Sequence, residues 1–189
     1  MKIKTRSLYI VMAAGGIIGS IASSIQLIDK MTLLQNNDAT LVCNISSIFS
    51  CSTVLTAWQS SLFGFPNSMM SLIFFVFFGT IALVGLSGGV LPRRLRLWVQ
   101  GLTLFMLGFA LWFLLQSTYV IGSLCIMCMF LFTGLLLINW SWLRLNVTDL
   151  PVSKRTRKIV ANWIAKDKDS FMWLLIAAVL GLLMIQRFI

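Results

Sequence analysis

The chain has 189 residues, of which 59% are apolar and 11% charged, with a mean hydropathy of +0.94. Soluble domains run at roughly 45–50% apolar and 25% charged, so this composition cannot cover a water-facing surface and excludes a soluble enzyme. There is no histidine and no glutamate, and the five acids are all aspartate; imidazole metal sites, histidine acid–base catalysis and Ser–His–Asp triads are therefore excluded too. The net charge of +10 has to be read by position first, because in a membrane protein basic residues mark topology.

Taken in chain order, the charge-free stretches predict five transmembrane helices, each needing about 20 apolar residues to cross the hydrocarbon core. The first covers 8–28, where Gly15, Gly16, Gly19, Ser20 and Ser23 suit close helix contact. It lacks the small-residue cleavage site of a signal peptide. The second covers 65–90, with Pro66 near its start, where a missing N–H is harmless. The run 97–143 is too long for one crossing and is expected to fold back at 117–124, giving spans at 97–116 and 124–143. A short fifth span is expected at 171–188, with Arg187 snorkelling to the interface.

The charges alternate across these spans. The N-terminal tail carries Lys2, Lys4 and Arg6; segment 29–64 carries Asp29, Lys30 and Asp38, for a net −1. The next connection carries Arg93, Arg94 and Arg96, the 117–124 turn has no charge, and 144–170 has a net +4. The positive-inside rule then puts the N-terminus, the 91–96 turn and 144–170 in the cytoplasm, with the 29–64 and 117–124 segments outside. Without a basic patch interleaved with aromatic residues, nucleic acid is not an expected partner. Segment 153–168 reads as a basic amphipathic helix on the inner leaflet, with Ile159, Trp163 and Ile164 toward lipid.

All four cysteines fall at the extracytoplasmic side of this topology, where disulfides persist. Cys125 and Cys128 form a CxxC at the start of the fourth span. Three residues apart on a helix they share a face, and a disulfide closing so small a loop constrains little, which suits redox work better than stapling. Cys125 lies near a helix N-terminus, which favours a thiolate. Cys43 and Cys51, with seven residues between them, lie in an outer segment and can exchange with an outside partner and with the CxxC. Two structural disulfides remain an alternative. No metal is expected, because a zinc site would need all four cysteines at an outward-facing position. Downstream, Val54, Trp58 and Leu62 place an apolar stripe on a short helix over 53–62, either an interfacial anchor or a lid over the bundle mouth.

These residues resemble the vitamin K epoxide reductase family, specifically its bacterial disulfide-forming members without a fused thioredoxin domain. The matching features are the split pair Cys43 and Cys51, the run from Cys51-Ser52 to Trp58, then Phe63-Gly64-Phe65-Pro66-Asn67. The last is the CxxC heading a later span, Ile121-Gly122-Ser123-Leu124-Cys125-Ile126-Met127-Cys128. The resemblance covers roughly residues 8–143.

It implies an all-α integral membrane protein: four helices around a quinone, a fifth peripheral span, and a capping loop with a short interfacial helix, in a single domain. By the same resemblance Cys43 exchanges with an extracytoplasmic thioredoxin-fold (DsbA-like) protein acting in trans. Cys51 passes electrons to Cys125, and Cys128 reduces a quinone of menaquinone, ubiquinone or vitamin K type. Asn67 matches a family asparagine that hydrogen-bonds a quinone carbonyl. Phe63, Phe65, Phe132 and Trp58 are candidates for the ring pocket, with ordinary packing the alternative for each. Three positions depart from the family pattern: Phe132 stands where animal members have tyrosine, Asn44 where an acid is frequent, and Ala57 where a small hydroxyl residue is common. The expected location is the cytoplasmic membrane, multi-pass, in contact with lipid. A thiol-driven vitamin K reductase and a structural membrane protein with stabilising disulfides are the alternatives.

Overall fold

The structure is a computed structural model and describes residues 5–36, 39–41, 43–46 and 48–188. Lys2, Lys4 and Asp38, counted above in the charge pattern, lie outside the described residues. Among the described residues every regular element is a helix, in an integral-membrane bundle of the expected class. Its elements are α1 (Thr5–Gln35), α2 (Cys51–Thr56), a 3₁₀ turn (Trp58–Ser61), α3 (Asn67–Leu86), α4 (Arg93–Leu115), a π turn (Gln116–Ile121), α5 (Ile126–Asn146), α6 (Lys154–Ala165) and α7 (Lys168–Gln186). The helices beginning at Thr5, Asn67, Arg93 and Ile126 are long and apolar enough to cross a membrane.

Lipid offers no hydrophobic drive between helices, so association rests on close packing. Small residues supply it here. A Cβ on Gly15 would come within 2.7 Å of the Gly134 carbonyl oxygen, and one on Gly134 within 2.8 Å of that of Gly15. On its other side Gly16 touches Gly79, where a Cβ would lie 3.0 Å from the Gly79 Cα. Helix α1 thus packs between α3 and α5, and α4 joins through α5. Around this seam sits a core of Met12, Phe74, Phe75, Phe78, Ile138 and Trp142.

Several boundaries differ from expectation. Helix α1 runs past 28 to Gln35, so Asp29 and Lys30 are helical rather than part of an outer loop. The hairpin expected at 117–124 is shorter: the chain continues from α4 through the π turn, burying Ser117 and Thr118, and reverses at Gly122 with φ +73°. Only glycine adopts that conformation without strain. The stripe over 53–62 does not lie on one helix. Ala57 is extended (φ −63°, ψ 145°), which breaks the helical phase and leaves Val54 buried while Trp58 is 66% exposed.

At the other end of the bundle, the positive connections meet. Arg93 donates to the Asp149 carbonyl oxygen, and Arg96 pairs with the Asp149 carboxylate. Arg144, at the end of α5, holds Asp169 and Asp167 at 2.6 and 2.8 Å and stacks over Trp140. That cluster fixes the start of α7 against α5. Helix α6 lies outside it with no buried residue, Ile159 and Trp163 both exposed, in keeping with an amphipathic helix at an interface.

Candidate active site

All four cysteines share one buried cluster with Leu33, Leu41, Val54 and Leu55. Backbone pairing brings them there. The loop residue Phe49 forms a parallel bridge with Leu124; the Leu124 amide donates to the Ile48 carbonyl (2.8 Å), and the Ser50 amide donates to the Leu124 carbonyl (3.1 Å). Each side of this bridge is one or two residues from a cysteine, so the two pairs are set against each other by main-chain hydrogen bonds.

On the loop side, Ser50 caps α2 by accepting from the Thr53 amide. Asn44 adds a clamp, accepting from the Ser52 amide at 3.1 Å and donating to the Ser52 hydroxyl at 2.9 Å. Cys51 is thereby the first residue of α2 and fully buried. It is disulfide-bonded to Cys43, with Cα atoms 5.7 Å apart. The Asp29 carboxylate lies 3.6 Å from the Cys43 sulfur.

Cys125 and Cys128 are free thiols, both buried. Cys125 sits just before α5 with extended backbone, and its Sγ lies 3.3 Å from the Cys51 Sγ. Cys128 is one turn deeper. The sulfur order is therefore Cys43, Cys51, Cys125, Cys128, running from the loop into the bundle.

Cys128 opens onto a cavity lined by residues of all four long apolar helices. Its walls include Gln26 from α1, Asn67, Ser68 and Phe74 from α3, Phe109 from α4, and Phe132 from α5. Of the expected pocket residues, Asn67 and Phe132 line it. Trp58, Phe63 and Phe65 do not: all three are exposed, and Phe63 stacks on Phe65 and touches Phe109 from outside. The break at Ala57 is the physical reason for Trp58, since it turns the indole away from the bundle.

Asn67 has another task. Its Nδ2 donates to the Gln59 carbonyl at 2.7 Å and its Oδ1 accepts from the Leu62 amide at 3.2 Å. Both ends of the amide are engaged in fastening the 3₁₀ turn to the head of α3. The next residue, Ser68, is 4% exposed, lines the cavity, and its hydroxyl has no hydrogen-bond partner in the structure.

Two residues of α1 were not singled out from sequence. The Gln26 side chain donates from Nε2 to Cys128 Sγ at 2.9 Å and to Cys125 Sγ at 3.3 Å. Lys30, one turn on and buried, donates to the Leu55 carbonyl and, at 3.0 Å, to the Ser60 hydroxyl, tying α2 and the 3₁₀ turn to α1. The signal was present: polar side chains spaced i, i+3 and i+4 (Gln26, Asp29, Lys30) at the end of an apolar span are a functional hypothesis in their own right.

Chemically the arrangement is a chain of four sulfurs ending at an apolar cavity, without acid–base residues of the hydrolytic kind. Among the described residues no group of three or more cysteines and acids is placed to hold a metal ion. The family model for the vitamin K epoxide reductase family matches residues 10–142. No individual curated protein matches the chain. With the cysteine order, the bundle and the family match in agreement, the chain belongs to the vitamin K epoxide reductase family and is a multi-pass membrane oxidoreductase.

Proposed function

We propose that the protein takes two electrons from the dithiol of an extracytoplasmic thioredoxin-fold protein and delivers them to a membrane quinone, generating a disulfide in its partner. The single observation that carries this reading is the 3.3 Å approach of Cys125 to Cys51 with Cys128 facing a four-helix cavity. A structural staple has no use for a free thiol pair abutting a disulfide.

The steps balance as follows. A partner thiolate attacks Cys43, and Cys51 leaves as a thiolate; the second partner thiol then closes the partner's disulfide and frees Cys43. Cys51 next attacks Cys125 of the oxidised Cys125–Cys128 pair, releasing Cys128. Cys43 attacks Cys51, restoring the loop disulfide and freeing Cys125. This leaves a loop disulfide beside a reduced CxxC, the arrangement observed. A quinone in the cavity supplies the two-electron acceptor, takes up two protons and leaves Cys125–Cys128 as a disulfide. In this reading Ser68, whose buried hydroxyl is unpartnered, donates to a ring carbonyl, while Asn67 holds the cap in place. Phe132 brings no hydroxyl to the cavity, which favours a plain quinone over an epoxide. The cysteine end faces outward and the basic end inward, as the charge pattern requires.

The test is reconstituted turnover. Purified protein, a reduced thioredoxin-fold dithiol protein and a short-chain quinone are expected to yield quinol and partner disulfide in equal amounts. Full turnover by a variant with all four cysteines changed to serine would overturn the proposal. Trapping adds the order of the relay: offered the partner in its oxidised form, the free Cys43 thiol of Cys51→Ser should attack the partner disulfide and accumulate as a mixed disulfide on a non-reducing gel, and Cys43→Ser should accumulate none.

A further inference from the structure

We infer that Gln26 is a catalytic residue of the CxxC: its amide N–H groups stabilise the Cys128 thiolate as it forms, and so set how readily the pair is reduced. The inference rests on the relay proposed above, and concerns one step of it. When the Cys51 thiolate attacks Cys125, the Cys51–Cys125 bond forms and the Cys125–Cys128 bond breaks. The departing electron pair then resides on Cys128 Sγ, a fully charged group one turn inside an apolar helix bundle.

A bare thiolate there is costly, because burial in a low-dielectric medium disfavours the charged form. Three observations place Gln26 to meet that cost. Its Nε2 lies 2.9 Å from Cys128 Sγ and 3.3 Å from Cys125 Sγ, so one amide spans both ends of the bond that breaks. The side chain is 5% exposed and shares the cavity wall with Cys128, so water does not compete for the donor. The nearest buried cation on the same helix, Lys30, is committed elsewhere, to the Leu55 carbonyl and the Ser60 hydroxyl. A neutral amide suits the position. It donates to a thiolate in the reduced state, yet leaves no unpaired charge behind when Cys125 and Cys128 are joined. Hydrogen bonds to a charged acceptor are about twice as strong as neutral ones, and stronger again in a dry site.

The experiment compares Gln26→Met, which keeps the volume and removes the donors, with Gln26→Glu, which keeps the shape and adds an acceptor. The first readout needs neither quinone nor partner: the redox equilibrium of the Cys125–Cys128 pair against glutathione, in a Cys43→Ser/Cys51→Ser background. Removing a thiolate hydrogen bond should disfavour the reduced pair about tenfold, which is about 30 mV more negative for a two-electron couple. Gln26→Glu should move it further in the same direction. The second readout is quinone turnover in the four-cysteine protein, expected to fall about tenfold in kcat for Gln26→Met. A redox equilibrium for Gln26→Met equal to wild type would overturn the inference, whatever happens to turnover, because a packing role alone predicts that result. If the wild-type protein showed no quinone turnover, the proposed function would fall, while the glutathione equilibrium would still decide the role of Gln26 at the thiols.

Discussion

At the basic end of the bundle, Arg144 is buried and gives its guanidinium to two aspartates, Asp169 equally buried and Asp167 partly exposed. At the cysteine end, Gln26 and Lys30 are as deeply buried, but they donate to sulfur, a carbonyl and a hydroxyl. The two ends use buried polar groups for opposite purposes. Opposite charges that neutralise one another have nothing left to exchange, and losing either partner strands the other, so the Arg144 cluster can only hold. Neutral amides and thiols leave the sulfurs able to gain and lose charge. The cap that covers them is tied by a handful of neutral or singly charged hydrogen bonds, which keeps a reactive mouth ordered without locking its chemistry.

The sharpest way to break this contrast is to remove the sulfurs. Cys125→Ser or Cys128→Ser should take quinone turnover to background while the melting temperature in detergent stays within about 2 °C of wild type, as for an isosteric change that creates no cavity. A variant that loses the fold together with activity would make the cysteine end structural after all. Next comes Arg144→Met, which leaves Asp169 buried without its partner and should cost about 3–5 kcal/mol. Thermal unfolding and protease cutting within 147–153 would report it, with turnover per folded molecule unchanged. An equal fall in turnover would erase the distinction between the two ends.

A smaller effect tests the cap. Asn67→Ala strands the Gln59 carbonyl and the Leu62 amide and should cost about 1–3 kcal/mol. Amide exchange is expected to rise across 57–65 before it rises in the four long helices. Smallest of all, Ser153→Ala removes the hydroxyl that accepts from the Thr156 amide at the start of α6, a loss of about 1 kcal/mol. Because α6 buries nothing, that loss should appear as local fraying by circular dichroism or exchange, with no change in turnover.

The apolar excess and the alternation of charge were enough to divide the chain into long apolar helices and to gather the cysteines at one end. Spacing named the CxxC, and the split pair, the run Phe63 to Asn67 and the later CxxC together carried the resemblance to the family. These features are legible because each depends on runs of residues in a local stretch: a span needs length, and a CxxC needs one helical turn. The pocket aromatics were less legible. Phe132 follows Cys128 by one turn on the same helix, so its place by the cavity is local geometry. Trp58, Phe63 and Phe65 lie in the cap, where the extended backbone at Ala57 resets the direction of every side chain after it.

What only the tertiary structure decided is which groups meet across the bundle. The bridge between Phe49 and Leu124 sets Cys51 against Cys125 over 74 residues of sequence, and Gln26 reaches the same sulfurs from 99 and 102 residues away. Neither follows from periodicity, because a helix face fixes direction around its own axis and not its neighbour. That choice was made by the glycines of α1, which let α3 and α5 approach on opposite sides and so carry Gln26, Ser68 and Cys128 to one cavity. The sequence by itself determined that this is a membrane protein with thiols at one end. Close packing determined that those thiols form a chain leading inward.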